Sequence, residues 1–220
     1  MIQFIRNKIR KILKEEFELE EKYPSEFSFQ SLETINSYAG KLKYAENHLK
    51  KLASGSARVV YKVDDEKVLK MAKNQKGLAQ NAVEAEGYFQ NYDIVAKVFE
   101  TDDDDRWIEM EFAKKVKPTD FRKIVGMSFN DFIEYIRYRK FQEKPSKYFK
   151  IGVSDEIKER AESNEFVQDI VDFAFSNDME TGDYQRLSSF GKVIRGGKES
   201  IVLIDFGLSN SVYSDYYDVS

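Results

Sequence analysis

The sequence has no cysteine and only one histidine, and these two absences exclude several kinds of active site. Without a thiol there is no disulfide, no thiolate nucleophile and no cysteine-ligated zinc. Because His48 is the only histidine, a multi-histidine metal site is excluded. A Ser-His-Asp triad is possible only if His48 is its histidine. The lack of cysteine also favours a reducing compartment, so we expect the protein in a cytoplasm.

Long apolar runs and an excess of positive charge are missing as well. The formal net charge of the 220 residues is -4, without the basic excess that nucleic-acid-binding proteins usually carry. Charged residues interrupt the N-terminal stretch MIQFIRNKIRKILKEEF, which excludes a signal peptide and a membrane span there. What is present, 41% hydrophobic and 34% charged residues, is typical of a globular protein with a sizeable core.

Residues 1–22 carry apolar side chains at steps of three and four, which predicts an amphipathic helix. The stripe consists of Ile2, Ile5, Ile9, Ile12, Leu13 and Phe17. We expect this helix to pack on the chain itself or on a protein partner rather than on a membrane surface. One or two further helices are predicted before about residue 51.

From Arg58 onward the apolar residues alternate, which is typical of strands. The pattern predicts two hairpins, each around an acidic turn, at residues 58–73 and 94–113. Between them, helical spacing predicts a helix at residues 80–92. The four aspartates of the second turn are expected to be solvated, because neighbouring side chains in a hairpin tip point in different directions.

The second half of the sequence begins with helical patterns and ends with a third hairpin. Helices are predicted at residues 128–141 and 164–176, each preceded by a Ser or Asn of the kind that caps helices. The connection around residues 142–156 reads as loop. Residues 190–207 form the third hairpin, and the tail after them has no clear period.

Four parts required for phosphoryl transfer from ATP follow in order along the chain. The chemistry needs a loop over the phosphates, a cation on them, an acid for magnesium and an acid at the nucleophile. The turn in LASGSARVVY is the candidate loop, and Lys70 is the candidate cation. Further along the chain, Asp183 is the candidate acid at the nucleophile and Asp205 the candidate acid for magnesium.

These residues make the chain resemble the protein kinase-like superfamily, and in particular the short kinase-like proteins encoded by tailed phages. The resemblance covers about residues 50–209. Of the family's phosphate loop, G-x-G-x-x-G-x-V, only Gly55 and Val60 match, and Ala53 and Arg58 replace two glycines. The resemblance implies that Lys70 grips the phosphates.

The resemblance also implies which residues hold the nucleotide. Glu84, or its neighbour Glu86, would fix Lys70, and the backbone of residues 110–113 would pair with adenine. Leu52, Val60 and Met71 are core residues by default, some of which would sandwich the base. The residues so implied for binding ATP are Gly55, Ser56, Val60, Lys70, Glu84, Met110 and Phe112.

The catalytic loop, ETGDYQRLSSFG, departs most from the family pattern H-R-D-x-x-x-x-N. The resemblance implies that Asp183 orients the nucleophile and that Arg186 supplies charge at the transferred phosphate. Asp205 and Ser188 are the implied magnesium ligands, and Ser188 is a poorer ligand than the usual Asn. Because the sequence ends soon after Gly207, we expect the peptide-binding helices of ordinary kinases to be absent.

Together these features predict an α+β, two-lobed protein kinase-like fold. We expect a helical N-terminal extension at residues 1–50, an antiparallel-sheet N-lobe at residues 51–113 and a reduced helical C-lobe at residues 114–220. The first functional hypothesis is a phosphotransferase that uses ATP and magnesium. The alternatives are a catalytically impaired pseudokinase that serves as a phage binding or virion-associated module, and transfer of the nucleotide itself. A phage origin implies the host cytoplasm or the virion.

Overall fold

The structure is a computed structural model that describes residues 27–143, 145 and 151–217. The amphipathic helix predicted at residues 1–22 lies outside the described residues. Within the described part of the chain, no helix is both long enough and apolar enough to cross a membrane.

Two short helices and a five-stranded antiparallel sheet make up the first part of the described chain. The helices are α1 at Phe29–Thr34 and α2 at Tyr38–His48. The strands are β1 at Lys50–Ser54, β2 at Arg58–Lys62, β3 at Lys67–Ala72, β4 at Val98–Thr101 and β5 at Trp107–Glu111. Their spatial order is β1-β2-β3-β5-β4, and helix α3 at Gln75–Glu84 follows β3.

The alternation along β2 and β3 gives the sheet two different faces. On one face Tyr61, Leu69 and Trp107 are buried in a cluster that includes residues of α1 and α2. On the other face Val60 pairs in register with Lys70. Because the side-chain period of a strand is two, a register slip of one residue would move Lys70 to the far face.

The second part of the described chain is mainly helical, with a small three-stranded sheet. Its helices are α4 at Pro118–Val125, α5 at Phe129–Glu143, α6 at Asp155–Glu162, α7 at Glu165–Ser176 and α8 at Asn210–Tyr216. The strands β6 at Lys114–Lys115, β7 at Phe190–Arg195 and β8 at Lys198–Leu203 lie in the order β6-β7-β8. The predicted α+β class, with an antiparallel N-terminal sheet and a mainly helical second part, is confirmed.

One hydrophobic core joins these two parts. It runs from Val68 and Met110 of the first sheet to Phe173 of α7 and Leu203 of β8. Aromatic rings fill much of it; Phe121 and Phe190, for example, meet edge to face at 5.7 Å between ring centroids. A continuous core of this kind fixes how the first sheet faces the loops that precede β7.

Three helices were not predicted from the sequence, and one was predicted at shifted bounds. Helices α6 and α8 bury one residue each, Ala161 and Val212, so they have little apolar periodicity to detect. Helix α4 is only eight residues long. The helix expected at residues 80–92 begins earlier, after the cap Asn74, and ends at Glu84; a short 3-10 helix follows at Gly87–Asn91.

Gly77 sits where α3 touches the sheet, and its substitution tests that contact. A Cβ at this position would lie 2.3 Å from the carbonyl oxygen of Ala57 and 2.9 Å from the Cα of Ala72. Alanine favours a helix over glycine by about 1 kcal/mol, but overpacking against backbone costs about 1–3 kcal/mol. We therefore expect Gly77→Ala to lower the free energy of unfolding, measured by urea denaturation.

The matched control for this substitution is Gly87→Ala. A Cβ at Gly87 meets nothing within 4 Å, so we expect the free energy of unfolding to change by no more than about 0.5 kcal/mol. If Gly77→Ala were as stable as wild type or more stable, α3 would not pack against the sheet as closely as described.

Candidate functional site

A cavity of about 740 Å³ opens between the first sheet and the loop that precedes β7. Ten of the eleven site residues predicted from the sequence line this cavity. They are Gly55, Ser56, Val60, Lys70, Met110, Phe112, Asp183, Arg186, Ser188 and Asp205. Glu84, the eleventh, lies behind the cavity wall and is fully buried.

Lys70 and Glu84 form a buried ion pair at the base of the cavity. The ammonium Nζ of Lys70 lies 2.8 Å from Oε2 of Glu84 and also donates to the carbonyl oxygen of Ile204 at 2.5 Å. Glu84 is the last residue of α3 and points back at the sheet, whereas Glu86 lies beyond the helix end and is exposed. Of the two acidic residues considered, Glu84 is thus the one that pairs with Lys70.

The carboxylate of Glu84 accepts hydrogen bonds from three separate segments. Besides Lys70 on β3, the guanidinium of Arg58 on β2 donates from Nη2 to Oε1 at 2.9 Å, and its Nη1 forms an ion pair with Oε2 at 2.8 Å. The backbone amide of Phe206 donates to Oε1 at 3.1 Å. A fully buried carboxylate is stable only when it is paired and hydrogen-bonded, and Glu84 meets both conditions.

Arg58 connects this pair to Asp205. Its Nη2 donates to Oδ1 of Asp205, and its Nη1 lies 3.4 Å from Oδ1 of Asn81. The sequence did not predict Arg58 as a site residue. The available signal was its position, because it replaces a glycine of the family's phosphate loop with a long cation that faces the cavity.

The charges in this cluster shift the pKa of each member. Burial alone would raise the pKa of Glu84, but Arg58 and Lys70 hold it below its ordinary value. Burial lowers the pKa of Lys70. The negative charge of Glu84 opposes this effect, whereas the positive charge of Arg58 lowers the pKa further, so that it stays below its ordinary value. Burial would also lower the pKa of Arg58, yet Glu84 and Asp205 raise it above its usual value. Glu84 and Arg58 therefore stay ionised at neutral pH.

Asp183 is a buried carboxyl group on the opposite wall of the cavity. Burial, and then the negative charge of Asp205, raise its pKa to about 6, against the opposing charges of Arg186 and Arg58. Nη1 of Arg186 lies 3.3 Å from Oδ1 of Asp183, and the Arg186 side chain is 71% exposed. A carboxylate with a pKa near the working pH can accept a proton from a hydroxyl group.

Contacts with α5 hold the loop that carries Asp183. Lys140 of α5 bonds Oε1 of Glu180, which also accepts from the backbone amide of Gly182 at 3.2 Å. Nε of Arg137, one turn earlier, donates to Oε1 of Gln185 at 2.7 Å. These contacts on either side of Asp183 fix the loop, and none of them was predicted from the sequence.

Only some of the residues predicted to hold the base can reach it. Leu52, Val60 and Met110 line the cavity and offer it an apolar surface. Met71 does not, because it is buried on the far face of the sheet with the cluster of α1 and α2. The backbone amide of Phe112 donates to the carbonyl oxygen of Glu66 at 2.6 Å, so it is not free to pair with a base. Phe112 still lines the cavity.

The implied magnesium ligands, Asp205 and Ser188, do not fit that metal as they are arranged. Mg²⁺ is usually held by one or two carboxylates together with phosphate oxygens and water. The carboxylate of Asp205 is already paired with Arg58, and Ser188 offers only a neutral hydroxyl. Among the described residues, no group of three or more His, Cys, Asp or Glu is placed to hold a metal ion.

No protein family model matches the chain, and no curated protein does. Some solved structures resemble it weakly. The GDP and kanamycin complex of APH(2")-IIia aligns with a TM-score of 0.34 and 12% identity, covering 72% of this chain and 66% of that one. SAICAR-synthase from Saccharomyces cerevisiae aligns with a TM-score of 0.35 and 13% identity, covering 72% of this chain and 73% of that one. The streptomycin-ATP-APH(2")-IIa ternary complex aligns with a TM-score of 0.33 and 15% identity, covering 79% of this chain and 72% of that one.

These TM-scores are too low to carry an inference about function. The chain also covers only about two thirds of the first of these structures. The contacts of this chain's own residues therefore carry any statement about its function.

The raised pKa of Asp183 predicts how stability depends on pH. A carboxyl group whose pKa is raised on folding binds its proton more tightly in the folded state, so stability falls as pH rises from about 4 to about 6 and then levels off. We expect Asp183→Asn to remove the part of this dependence that Asp183 contributes, while burial still raises the pKa of Asp102 and Asp169 in the variant. The variant should gain about 3 kcal/mol on wild type across that range, measured by urea denaturation at several pH values.

Asp103→Asn is the control for this measurement, because Asp103 is exposed in the turn between β4 and β5. It should keep the pH dependence of wild type. If Asp183→Asn kept that dependence as well, the pKa of Asp183 would not be raised.

Proposed function

We propose that the protein is a kinase-like phosphotransferase, which binds ATP in the 740 Å³ cavity and transfers the terminal phosphoryl group to a hydroxyl. The observation that carries this proposal is a juxtaposition. The buried pair of Lys70 and Glu84 reaches the same cavity as Asp183, whose pKa is raised to about 6. A fixed cation for phosphate and a carboxylate able to accept a proton are two of the protein groups that phosphoryl transfer uses.

The wall formed by β3 and by the turn between β1 and β2 suits a triphosphate. Lys70 donates to Glu84 and Ile204, which leaves the third N–H of its ammonium without a partner among the described residues. The backbone amides of Ser56 and Ala57 in the turn likewise donate to no described residue. In this proposal these groups bind phosphate oxygens, and the apolar residues nearby hold the base.

Asp183 and Arg186 act at the other end of the triphosphate in this proposal. Asp183 accepts the proton of the acceptor hydroxyl while the oxygen–phosphorus bond forms and the bond to the bridging oxygen of ADP breaks. Arg186 is largely exposed and 3.3 Å from Asp183, so its guanidinium can stabilise charge on the transferred group. ADP and the phosphorylated acceptor are the products.

A pseudokinase is the second candidate, and the pairing of Arg58 with Asp205 favours it. Such a protein would bind nucleotide without turning it over. The resemblance to phage proteins would then imply a binding or virion-associated role, with a protein partner on the helix predicted at residues 1–22. Transfer of the nucleotide itself is distinguished by its products, since it releases pyrophosphate rather than ADP.

The proposal is tested by ATP binding and by the products formed. We expect wild type to bind ATP in isothermal titration calorimetry and to convert it to ADP with water or glycerol as acceptor. Lys70→Met should weaken binding at least about tenfold, because a charged hydrogen bond to phosphate contributes about 1.5–3 kcal/mol. The control is Lys43→Met, which removes an exposed lysine of α2 and should bind as wild type does.

Circular dichroism should first establish that both variants are folded. The absence of ATP binding by wild type would contradict the proposal. Binding without any ADP would favour the pseudokinase, and pyrophosphate would favour nucleotidyl transfer.

A further inference from the structure

The guanidinium of Arg58 lies between two carboxylates at the base of the cavity. Its two terminal nitrogens are 2.8 and 2.9 Å from the oxygens of Glu84, and one of them also bonds Asp205. The residue is only 8% exposed, yet it lines the cavity. Arg58 thus occupies the space beside Asp205 where the kinase-like resemblance would lead one to expect a metal ion.

The charges of this cluster cancel. Arg58 and Lys70 contribute two positive charges, and Glu84 and Asp205 contribute two negative charges. A site for Mg²⁺ needs carboxylates whose charge is not already neutralised. Here the chain's own cation neutralises Asp205, and a divalent ion on the same carboxylate would be repelled by it.

Arg58 is firmly held in this position. Its contact with both oxygens of Glu84 is a bidentate pair, which fixes the plane of the guanidinium as well as its location. Asn81 lies 3.4 Å from Nη1 and is itself anchored, because its side-chain amide donates to the carbonyl oxygen of Asp105 at 2.9 Å. Moving Arg58 away would leave Glu84 buried with Lys70 as its only cationic partner among the described residues.

We propose that Arg58 takes the place of the divalent cation, so that this cavity binds the phosphates of a nucleoside triphosphate without magnesium. Arginine suits this role because its guanidinium is always charged and matches the geometry of phosphate oxygens. Its Nε–H group has no partner among the described residues and remains to be used. The inference rests on the proposed function in one respect, which is that the ligand of the cavity is a nucleotide.

The test needs no variant. ATP is titrated into the purified full chain by isothermal titration calorimetry, once with excess EDTA and once with excess Mg²⁺. We expect the two dissociation constants to agree within about threefold. Binding that weakens at least about tenfold in EDTA would overturn this inference and leave the proposed function standing. The absence of binding in both buffers would overturn both.

A variant then assigns the effect to Arg58. Arg58→Met keeps an unbranched side chain but removes the charge, which leaves two carboxylates facing one lysine. We expect ATP binding in EDTA to weaken at least about tenfold and to recover in Mg²⁺, so that the variant acquires the metal dependence that wild type lacks. A purely structural role would weaken binding equally in both buffers, and that result would overturn the assignment.

Two further variants control for folding and for charge in general. Arg58→Lys retains a positive charge without the bidentate contact, and it should bind ATP in EDTA with intermediate affinity. Arg122→Met removes an exposed arginine of α4 and should match wild type in both buffers. If Arg58→Met proves unfolded, Arg58→Lys takes its place in the comparison, and binding equal to wild type in EDTA by either folded variant would contradict the role of Arg58.

Discussion

The buried carboxylate of Glu84 is the interaction on which the rest of the site depends. Strand β2 reaches it through Arg58, strand β3 through Lys70, and the segment after β8 through the amide of Phe206. Without these donors an ionised group at 0% exposure would cost several kcal/mol. The carboxylate therefore ties the first sheet to α3 and to the chain that carries Asp205, and the cavity takes its shape from this connection.

Backbone packing makes that connection geometrically possible. The register of β2 and β3 puts Val60 opposite Lys70, so Arg58, two residues before Val60, emerges on the same face. Helix α3 approaches that face through Gly77. The segment after Asp205 lies equally close to α3, since a Cβ on Gly207 would be 2.5 Å from the carbonyl oxygen of Gln80. Two glycines thus allow a helix, a sheet and a loop to meet around one carboxylate.

The sequence predicted the hairpins and the antiparallel sheet because alternation and turn residues are local signals. It also pointed to Lys70, Asp183 and Asp205, which do line one cavity. It did not predict the bond between Arg58 and Asp205, because that contact joins residues 147 positions apart and depends on strand register and on where α3 ends. Met71 is a core residue, as expected, but it cannot hold the base, because strand parity puts its side chain on the far face of the sheet.

If Arg58 takes the place of the divalent cation, it stays on Asp205 and excludes a metal while nucleotide is bound. A crystal structure of the full chain with ATP and Mn²⁺, with data collected for the anomalous signal of manganese, tests this most directly. We expect to find Arg58 on Glu84 and Asp205, phosphates beside Lys70, and no anomalous peak at Asp205. A manganese peak at Asp205, with the guanidinium of Arg58 turned away from that carboxylate, would show that Arg58 does not replace the metal.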